Sequence, residues 1–80
     1  MWLGWRVHPD AADRDVPIRE DSIRLGQLLK LAGLADSGGD ARELVRDGGV
    51  RVNGEVERRR GRQLRRGDVV TAGDATLRVV

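Results

Sequence analysis

Arginine dominates the residues of this chain that could bind a ligand. Nine arginines lie between Arg42 and Arg66, where only four acidic residues accompany them. Guanidinium groups bind phosphate through paired hydrogen bonds and stack on bases, so such a cluster favours an anionic partner, above all a nucleic acid. Fourteen of the fifteen cationic side chains are Arg. A genome that favours Arg codons explains most of that total, but it does not explain the clustering.

Groups that could carry out catalysis are few. His8 is the only histidine and Cys is absent, which excludes thiol catalysis, disulfides and Cys-ligated zinc. Ser22 and Ser37 are better explained as helix-start residues than as nucleophiles. Glu55 and Glu57 form a carboxylate pair, but strand alternation places both on the solvent face of a predicted hairpin, where nothing would raise a pKa. We therefore predict a protein that is not an enzyme and holds neither a metal nor a cofactor.

The spacing of the arginines also points to binding. Arg42 and Arg46 are four residues apart on a predicted helix and share one ridge, while Glu43 and Asp47 share the neighbouring ridge. Like charges at this spacing destabilise a helix slightly, so the ridge is not arranged for helix stability alone, although it could be an ordinary solvated face. The basic residues that follow on the predicted hairpin are Arg51, Arg58, Arg59, Arg60 and Arg62.

A second possible anion site lies where the same helix begins. Ser37-Gly38-Gly39 would expose backbone N–H groups that could contact a phosphate. The segment lacks the Gly-Lys-Ser/Thr ending of a nucleotide-binding loop, so nucleotide hydrolysis is not supported. A weak contact with a nucleic-acid phosphate stays open.

Length and composition allow one small folded domain. The chain has 80 residues, of which 21 are Leu, Ile or Val, a fraction above the roughly 20% or less that marks disordered chains. Residues 1–15 show neither a helical nor a strand period and carry a net charge of −1, which predicts a flexible tail before a domain over residues 16–80. No segment resembles an export signal or approaches the roughly 20 apolar residues of a membrane span, so we expect a cytoplasmic protein.

Two helices are predicted by apolar spacing. Leu25, Leu28, Leu29 and Ala32 form the stripe of a first helix that Gly33 should end. The second helix has Ser37 as its cap, with Asp40 three residues later. Its buried stripe is Ala41, Leu44 and Val45, and Gly48-Gly49 supplies the stop.

Strands are predicted on both sides of this helical pair. Val16-Pro17-Ile18 suits a short edge strand. After Gly49 the apolar period is two, with Val50 and Val52 on one face, a turn at Asn53-Gly54 and a return at Val56. Further turns at Arg65–Asp68 and Gly73-Asp74 complete a predicted antiparallel meander. The predicted fold class is α+β, with two short tandem helices packed on a small, mainly antiparallel sheet.

These features together carry a resemblance. The chain resembles the RNA-binding domain named after bacterial ribosomal small-subunit protein S4, over roughly residues 18–80 and most closely in its short stand-alone bacterial members. The combination of a second helix, Val-x-Val-Asn-Gly and a later Gly-Asp is specific. The matching positions are Arg24-Leu25, Leu28, Gly33-Leu34, Ser37, Ala41-Arg42, Leu44-Val45, Gly48, Val50, Val52-Asn53-Gly54 and Gly67-Asp68-Val69.

The resemblance implies a module that presents basic side chains of its helices and adjoining strand to structured RNA. Many members carry a basic residue directly after the serine that begins the second helix. Here that position is Gly38, so a phosphate contact assigned to it cannot be carried over. In enzymes of this family the chemistry belongs to partner domains, so the module alone should bind without catalysing.

We therefore predict a monomer that binds structured RNA, ribosomal or transfer, and through it the ribosome, without contacting a membrane. The process served would be ribosome assembly, translation or RNA maturation. The alternative is a protein-interaction module that docks an acidic partner on ribosomes or RNA enzymes. The candidate RNA-binding residues are Arg24, Lys30, Arg42, Arg46, Arg51, Asn53, Arg58, Arg59, Arg60 and Arg62.

Overall fold

The computed structural model describes residues 14–80. Trp2 and Trp5, together with most of the predicted tail, lie outside these residues. The elements in chain order are β1 (Arg14–Val16), β2 (Ser22–Arg24), α1 (Leu25–Leu31), α2 (Gly38–Arg46), β3 (Val50–Val52), β4 (Glu55–Val56), β5 (Gln63–Arg65), β6 (Val69–Ala72) and β7 (Ala75–Val79). The first strand thus begins at Arg14, inside the segment that the sequence assigned to the tail.

Both helices form where the apolar spacing predicts them. In α1, Leu25, Leu28 and Leu29 are fully buried, and the chain leaves the helix through Gly33 at φ 79°. In α2, the Ser37 hydroxyl accepts a hydrogen bond from the backbone N–H of Asp40 at 3.2 Å, which satisfies one of the unpaired donors of the first turn. The helical pair therefore follows from local signals in the sequence.

The sheet is mixed rather than a simple meander. Its five strands lie in the order β1-β7-β6-β3-β4, and β1 runs parallel to β7 while the other pairs are antiparallel. Strands β2 and β5, which the sequence did not predict, form a separate two-stranded ribbon. The prediction of an α+β fold with a mainly antiparallel sheet is confirmed. The meander is wrong because β6 pairs with β3 instead of β4, and β5 pairs with β2 outside the sheet.

The turn between β3 and β4 has the predicted conformation. Asn53 and Gly54 take φ values of 52° and 89°, so both occupy the left-handed region that a tight two-residue hairpin turn requires. The Asn53 side chain also connects this turn to β6: its Oδ1 accepts from the backbone N–H of Val69 at 2.9 Å, and its Nδ2 donates to Asp68 at 3.2 Å. The turn therefore fixes both the hairpin and its contact with the next strand.

The helices and the inner face of the sheet enclose an aliphatic core. Its fully buried side chains are Leu25, Leu28, Leu29, Val45, Val50, Leu64, Val70, Leu77 and Val79. Within residues 14–80 the opposite face of the sheet carries exposed or half-buried side chains, and there Arg51 pairs with Val56 on one side and Thr71 on the other. Val56 is 45% exposed. Val56, at which the sequence predicts the returning strand, therefore lies outside the core.

Candidate nucleic-acid interface

Residues 57–62, here called the basic loop, connect β4 to β5 and dock on the beginning of α1. Arg24 precedes this helix and supplies no side-chain cap. The backbone N–H of Leu25 donates instead to the carbonyl of Arg62 at 2.8 Å, and the N–H of Gly26 donates to the carbonyl of Arg60 at 2.9 Å. Because the first N–H groups of a helix need external acceptors, the loop performs the capping of α1.

Glu57 anchors this loop from inside. The residue is buried at 7% exposure, and its carboxylate accepts hydrogen bonds from Arg59 Nε at 3.0 Å and from Arg62 Nη1 at 2.6 Å. It also accepts from the backbone N–H and from Nη2 of Arg59. These hydrogen bonds, to Arg59 first and then to Arg62, lower the pKa of Glu57 to about 2 against the opposing effect of burial.

The prediction that Glu57 faces solvent is wrong, and the hairpin register explains why. A two-residue turn at positions 53 and 54 sets Val52 opposite Glu55 and Arg51 opposite Val56. The next position therefore lies opposite Val50, and the backbone N–H of Glu57 indeed donates to the Val50 carbonyl at 3.0 Å. Residues opposite each other in an antiparallel pair share a face, so Glu57 lies on the side of the buried Val50.

The Glu57 contacts divide the predicted RNA-binding arginines into two groups. Arg59 and Arg62 are ion-paired with a buried carboxylate, although Arg59 keeps 77% of its side chain exposed. The carboxylate in turn raises the pKa of Arg59. Part of their charge is therefore neutralised within the protein, whereas Arg58 and Arg60 form no ion pair within residues 14–80.

Two cations of α1, at its N-cap and in its last turn, converge with one from the docked loop. Arg24, Lys30 and Arg60 line one groove, and none of the three forms an ion pair with a described residue. We call this site the basic groove. Its remaining walls are Gly26, Gln27, Gly38 and Ala41, so both helices contribute to it. Reasoning from the sequence did not identify Gln27 or Ala41, because neither residue type signals a binding site without the fold.

A row of arginines leads away from the basic groove along α2. Arg42 lies one helical turn after Gly38, and Arg46 lies one turn further. Both side chains are exposed. Arg58 from the basic loop donates through Nη1 to the Arg46 carbonyl at 3.0 Å and so reaches the end of the same row. Arg42, Arg46 and Arg58, here called the basic stripe, thus extend the positive surface that begins at the groove.

Two of the candidate residues lie apart from this surface. Arg51 is exposed and lies on the face of the sheet opposite to the one on which the helices pack. Asn53 is committed to the hydrogen bonds that join its turn to β6. The structure therefore brings together Arg24, Lys30 and Arg60, and separately Arg42, Arg46 and Arg58, but not Arg51 or Asn53.

Other kinds of site find no support in the part of the chain that the structure describes. Within residues 14–80 no helix is long and apolar enough to cross a membrane. The same residues contain no group of three His, Asp or Glu side chains that could hold a metal ion.

Comparison with known proteins places the chain in a family. Residues 16–80 match the family described as the S4 domain. The chain is similar to the probable ribosome maturation protein RlbA of Bacillus subtilis, with 47% identity over 55 residues that cover 69% of this chain and 78% of that protein. It is also similar to the tyrosine–tRNA ligase of Moorella thermoacetica, with 38% identity over 61 residues that cover 74% of this chain but only 15% of the ligase.

A solved structure has the same fold. The 30S ribosomal protein S4e from Thermoplasma acidophilum superimposes with a TM-score of 0.60 at 24% sequence identity. The match covers 78% of this chain and 33% of that protein. The family match and the shared fold agree with the arrangement of helices and sheet described above, and the chain belongs to the S4 domain family.

Proposed function

We propose that this protein binds structured RNA through the basic groove and the basic stripe, and that it does so without catalysis. The observation that carries the proposal is the convergence of Arg24 and Lys30, at the two ends of α1, with Arg60 of the basic loop, none of which has a carboxylate partner among residues 14–80. Unpaired cations held close together are costly unless an anion neutralises them. In a member of the S4 domain family, the phosphates of RNA are the anion that this surface suits best.

The mechanism is phosphate neutralisation combined with recognition of shape. Arg60 and Arg24 offer guanidinium groups that can bind a phosphate through two hydrogen bonds, and Lys30 adds a flexible point charge. The basic stripe would then follow the backbone of the same RNA along α2. Double-stranded RNA hides its base edges in a narrow groove, and this chain has no Phe or Tyr for base stacking on the sheet, so sequence specificity should be low.

The relatives suggest ribosomal or transfer RNA as the ligand. RlbA is named as a probable ribosome maturation protein, and the match covers most of its length. The tyrosine–tRNA ligase shares only the segment that corresponds to this chain. Because that segment is only 15% of the ligase, its aminoacylation chemistry is not part of the proposal.

A salt series with charge-removing variants tests the proposal. Replacing Arg24 and Arg60 with Gln should weaken binding to ribosomal RNA fragments and bulk transfer RNA. Each phosphate that is no longer neutralised should also lower the slope of log affinity against log salt by about 0.7 to 0.9. Arg51→Gln removes the same charge from the opposite face of the sheet and serves as the matched control. An unchanged slope for the groove variants, or an equal loss for Arg51→Gln, would reject the groove as the site.

An acidic protein partner would show the same salt dependence, so a second experiment separates the two. Ultraviolet crosslinking of the protein in cells, followed by sequencing of the attached RNA, should recover ribosomal or transfer RNA from the parent. The yield should fall for the Arg24 and Arg60 variants. Recovery of protein without RNA would favour the docking of an acidic partner instead.

A further inference from the structure

Gly26 lies in α1 directly beneath the side chain of Arg60. An alanine Cβ built on Gly26 would lie 2.6 Å from Cγ and 3.1 Å from Cδ of Arg60, and 3.6 Å from the Arg60 carbonyl oxygen. The first distance is far shorter than any real contact between carbon atoms, so a side chain at position 26 and the present conformation of Arg60 exclude each other. Both residues line the basic groove.

No feature of the backbone requires glycine at this position. The glycines with positive φ are Gly33, Gly48, Gly54, Gly67 and Gly73, all of which lie in turns. Gly26 is instead buried inside a helix, where glycine is a poorer residue than alanine. The absence of a Cβ there accommodates Arg60, and among the described residues this contact is the reason we find for a glycine at position 26.

We propose that Gly26 is a positioning residue for RNA binding, because its missing side chain allows Arg60 to lie across α1 into the basic groove. The inference rests on the proposed function of that groove and adds a residue that carries no charge. Gly26 would act only through Arg60, without touching the RNA through a side chain of its own.

The backbone of the basic loop is held in place, so only the side chain of Arg60 can move if position 26 carries a Cβ. Its carbonyl is bonded to the Gly26 N–H at 2.9 Å, and the Arg62 carbonyl is bonded to the Leu25 N–H at 2.8 Å. Glu57 holds Arg59 and Arg62 on either side. Because the backbone of the loop is tied to the helix and to Glu57, a Cβ at position 26 should displace the Arg60 side chain rather than the loop.

Gly39 provides a matched control that does not line the groove. Like Gly26 it is the second residue of its helix, and a Cβ added there would meet no atom nearer than the Ser37 Oγ at 3.7 Å. Gly26→Ala and Gly39→Ala therefore make the same chemical change at the same helical position, and only the first interferes with Arg60.

The experiment compares Gly26→Ala, Gly39→Ala, Arg60→Ala and the double variant Gly26→Ala/Arg60→Ala, each in the full chain. Binding of a fluorescein-labelled RNA stem-loop and of bulk transfer RNA is measured by anisotropy over a salt series, and urea titrations verify that each variant is folded. Gly26→Ala should lose affinity as far as Arg60→Ala does, roughly tenfold, the size expected for one charge-assisted hydrogen bond. Gly39→Ala should bind like the parent.

The double variant tests the coupling. Once the Arg60 side chain is shortened, the Cβ at position 26 displaces nothing, so the double variant should bind as Arg60→Ala does, with the same salt slope. A loss of affinity that Gly26→Ala adds to the Arg60→Ala background would overturn the proposal, as would parent-like binding by a folded Gly26→Ala variant. If Arg60→Ala itself bound RNA as the parent does, the proposed function of the groove would fail instead.

Discussion

Glu57 controls which arginines of the basic loop can meet a ligand. Its carboxylate takes hydrogen bonds from Arg59 and Arg62 and so turns part of an apparently uniform basic run into internal structure. The residues on either side of Arg59, Arg58 and Arg60, project into the basic stripe and the basic groove. Arginines that face the proposed binding surface thus alternate along the chain with arginines that bind Glu57.

Replacing Glu57 with Gln should lower the free energy of unfolding at pH 7 by about 1 to 2 kcal/mol, since charge-assisted hydrogen bonds to two arginines are weakened. The pKa of Glu57 falls from its ordinary value of 4.5 to about 2 on folding. A carboxylate with a lowered pKa stabilises the fold above pH 4.5, and that contribution disappears as the pH falls toward 2. The difference between parent and variant should therefore shrink over this range in urea titrations.

Glu55→Gln is the control for this prediction, because Glu55 lies on the same hairpin but is exposed and forms no ion pair within residues 14–80. It should change neither stability nor its pH dependence appreciably. A Glu57→Gln variant with the same acid sensitivity as the parent would show that this carboxylate is not the group that titrates.

Gly54 is needed for its backbone conformation alone. Its φ is 89°, and a Cβ added there would meet no atom within 4 Å. Gly54→Ala should therefore cost about 1 to 2 kcal/mol of stability through backbone strain. Gly61→Ala, at a site equally open but without positive φ, should cost much less. Equal urea midpoints for the two variants would contradict this assignment.

At the level of the elements, the helices could be predicted from the sequence and two of the strands could not. The stripe from Leu25 to Leu29 and the cap at Ser37 are local signals that α1 and α2 obey. Strands β2 and β5 are each three residues long and are far apart in the chain, yet they pair, as in Ile23 with Leu64. A strand of three residues shows too few alternations of apolar and polar side chains to be distinguished from a loop.

The second helix allows a test of the basic stripe. Replacing Arg42 and Arg46 together with Gln should lower RNA affinity and reduce the salt slope by about 0.7 to 0.9 for each phosphate that is no longer neutralised. The fold should be preserved, because both side chains are exposed and their mutual repulsion at i, i+4 is relieved.

The neighbouring ridge of α2, which carries Glu43 and Asp47, supplies the control. Glu43→Gln together with Asp47→Asn removes two negative charges from the same helix and should tighten binding slightly. If removal of the arginines and removal of the acidic residues affected affinity alike, the effect would come from the helix and not from the stripe. Both pairs are compared by RNA titration and by urea denaturation.

At the scale of the whole molecule, the binding site is less predictable than the fold. Arg24 and Arg60 are far apart in the chain and meet only because the basic loop docks on α1. Charge clustering in the sequence identifies Arg58 to Arg62 as a group, but it cannot show that Arg59 and Arg62 form ion pairs with Glu57. Arg51 is close to the others in sequence yet lies on the far face of the sheet. Tertiary contacts decide which arginines line the proposed site, and such contacts leave no pattern in the local sequence.

The first strand contributes to the stability of the whole domain. Val16 is buried, its carbonyl accepts from the Val80 N–H at 3.0 Å, and Arg14 donates to the Ala32 carbonyl at 2.8 Å. A chain that starts at Pro17 should therefore be about 2 to 3 kcal/mol less stable than one that starts at Arg14. Urea denaturation of the two truncated chains measures the difference, and equal midpoints would mean that β1 adds nothing.

The parallel pairing of β1 with β7 has a mechanical consequence. Arg14 begins one of these neighbouring strands, and Val80 follows the end of the other. A force that pulls these two residues apart acts along the strands in opposite directions, so it loads the hydrogen bonds between them together. Pulling on Val69 and Arg78, at the open end of an antiparallel hairpin, would break its bonds one after another. Bonds that are loaded together resist a larger force than bonds that break one at a time. Single-molecule pulling should therefore require a larger force between Arg14 and Val80 than between Val69 and Arg78. The hydrogen bonds of the short parallel ladder would therefore resist a force between Arg14 and Val80 together.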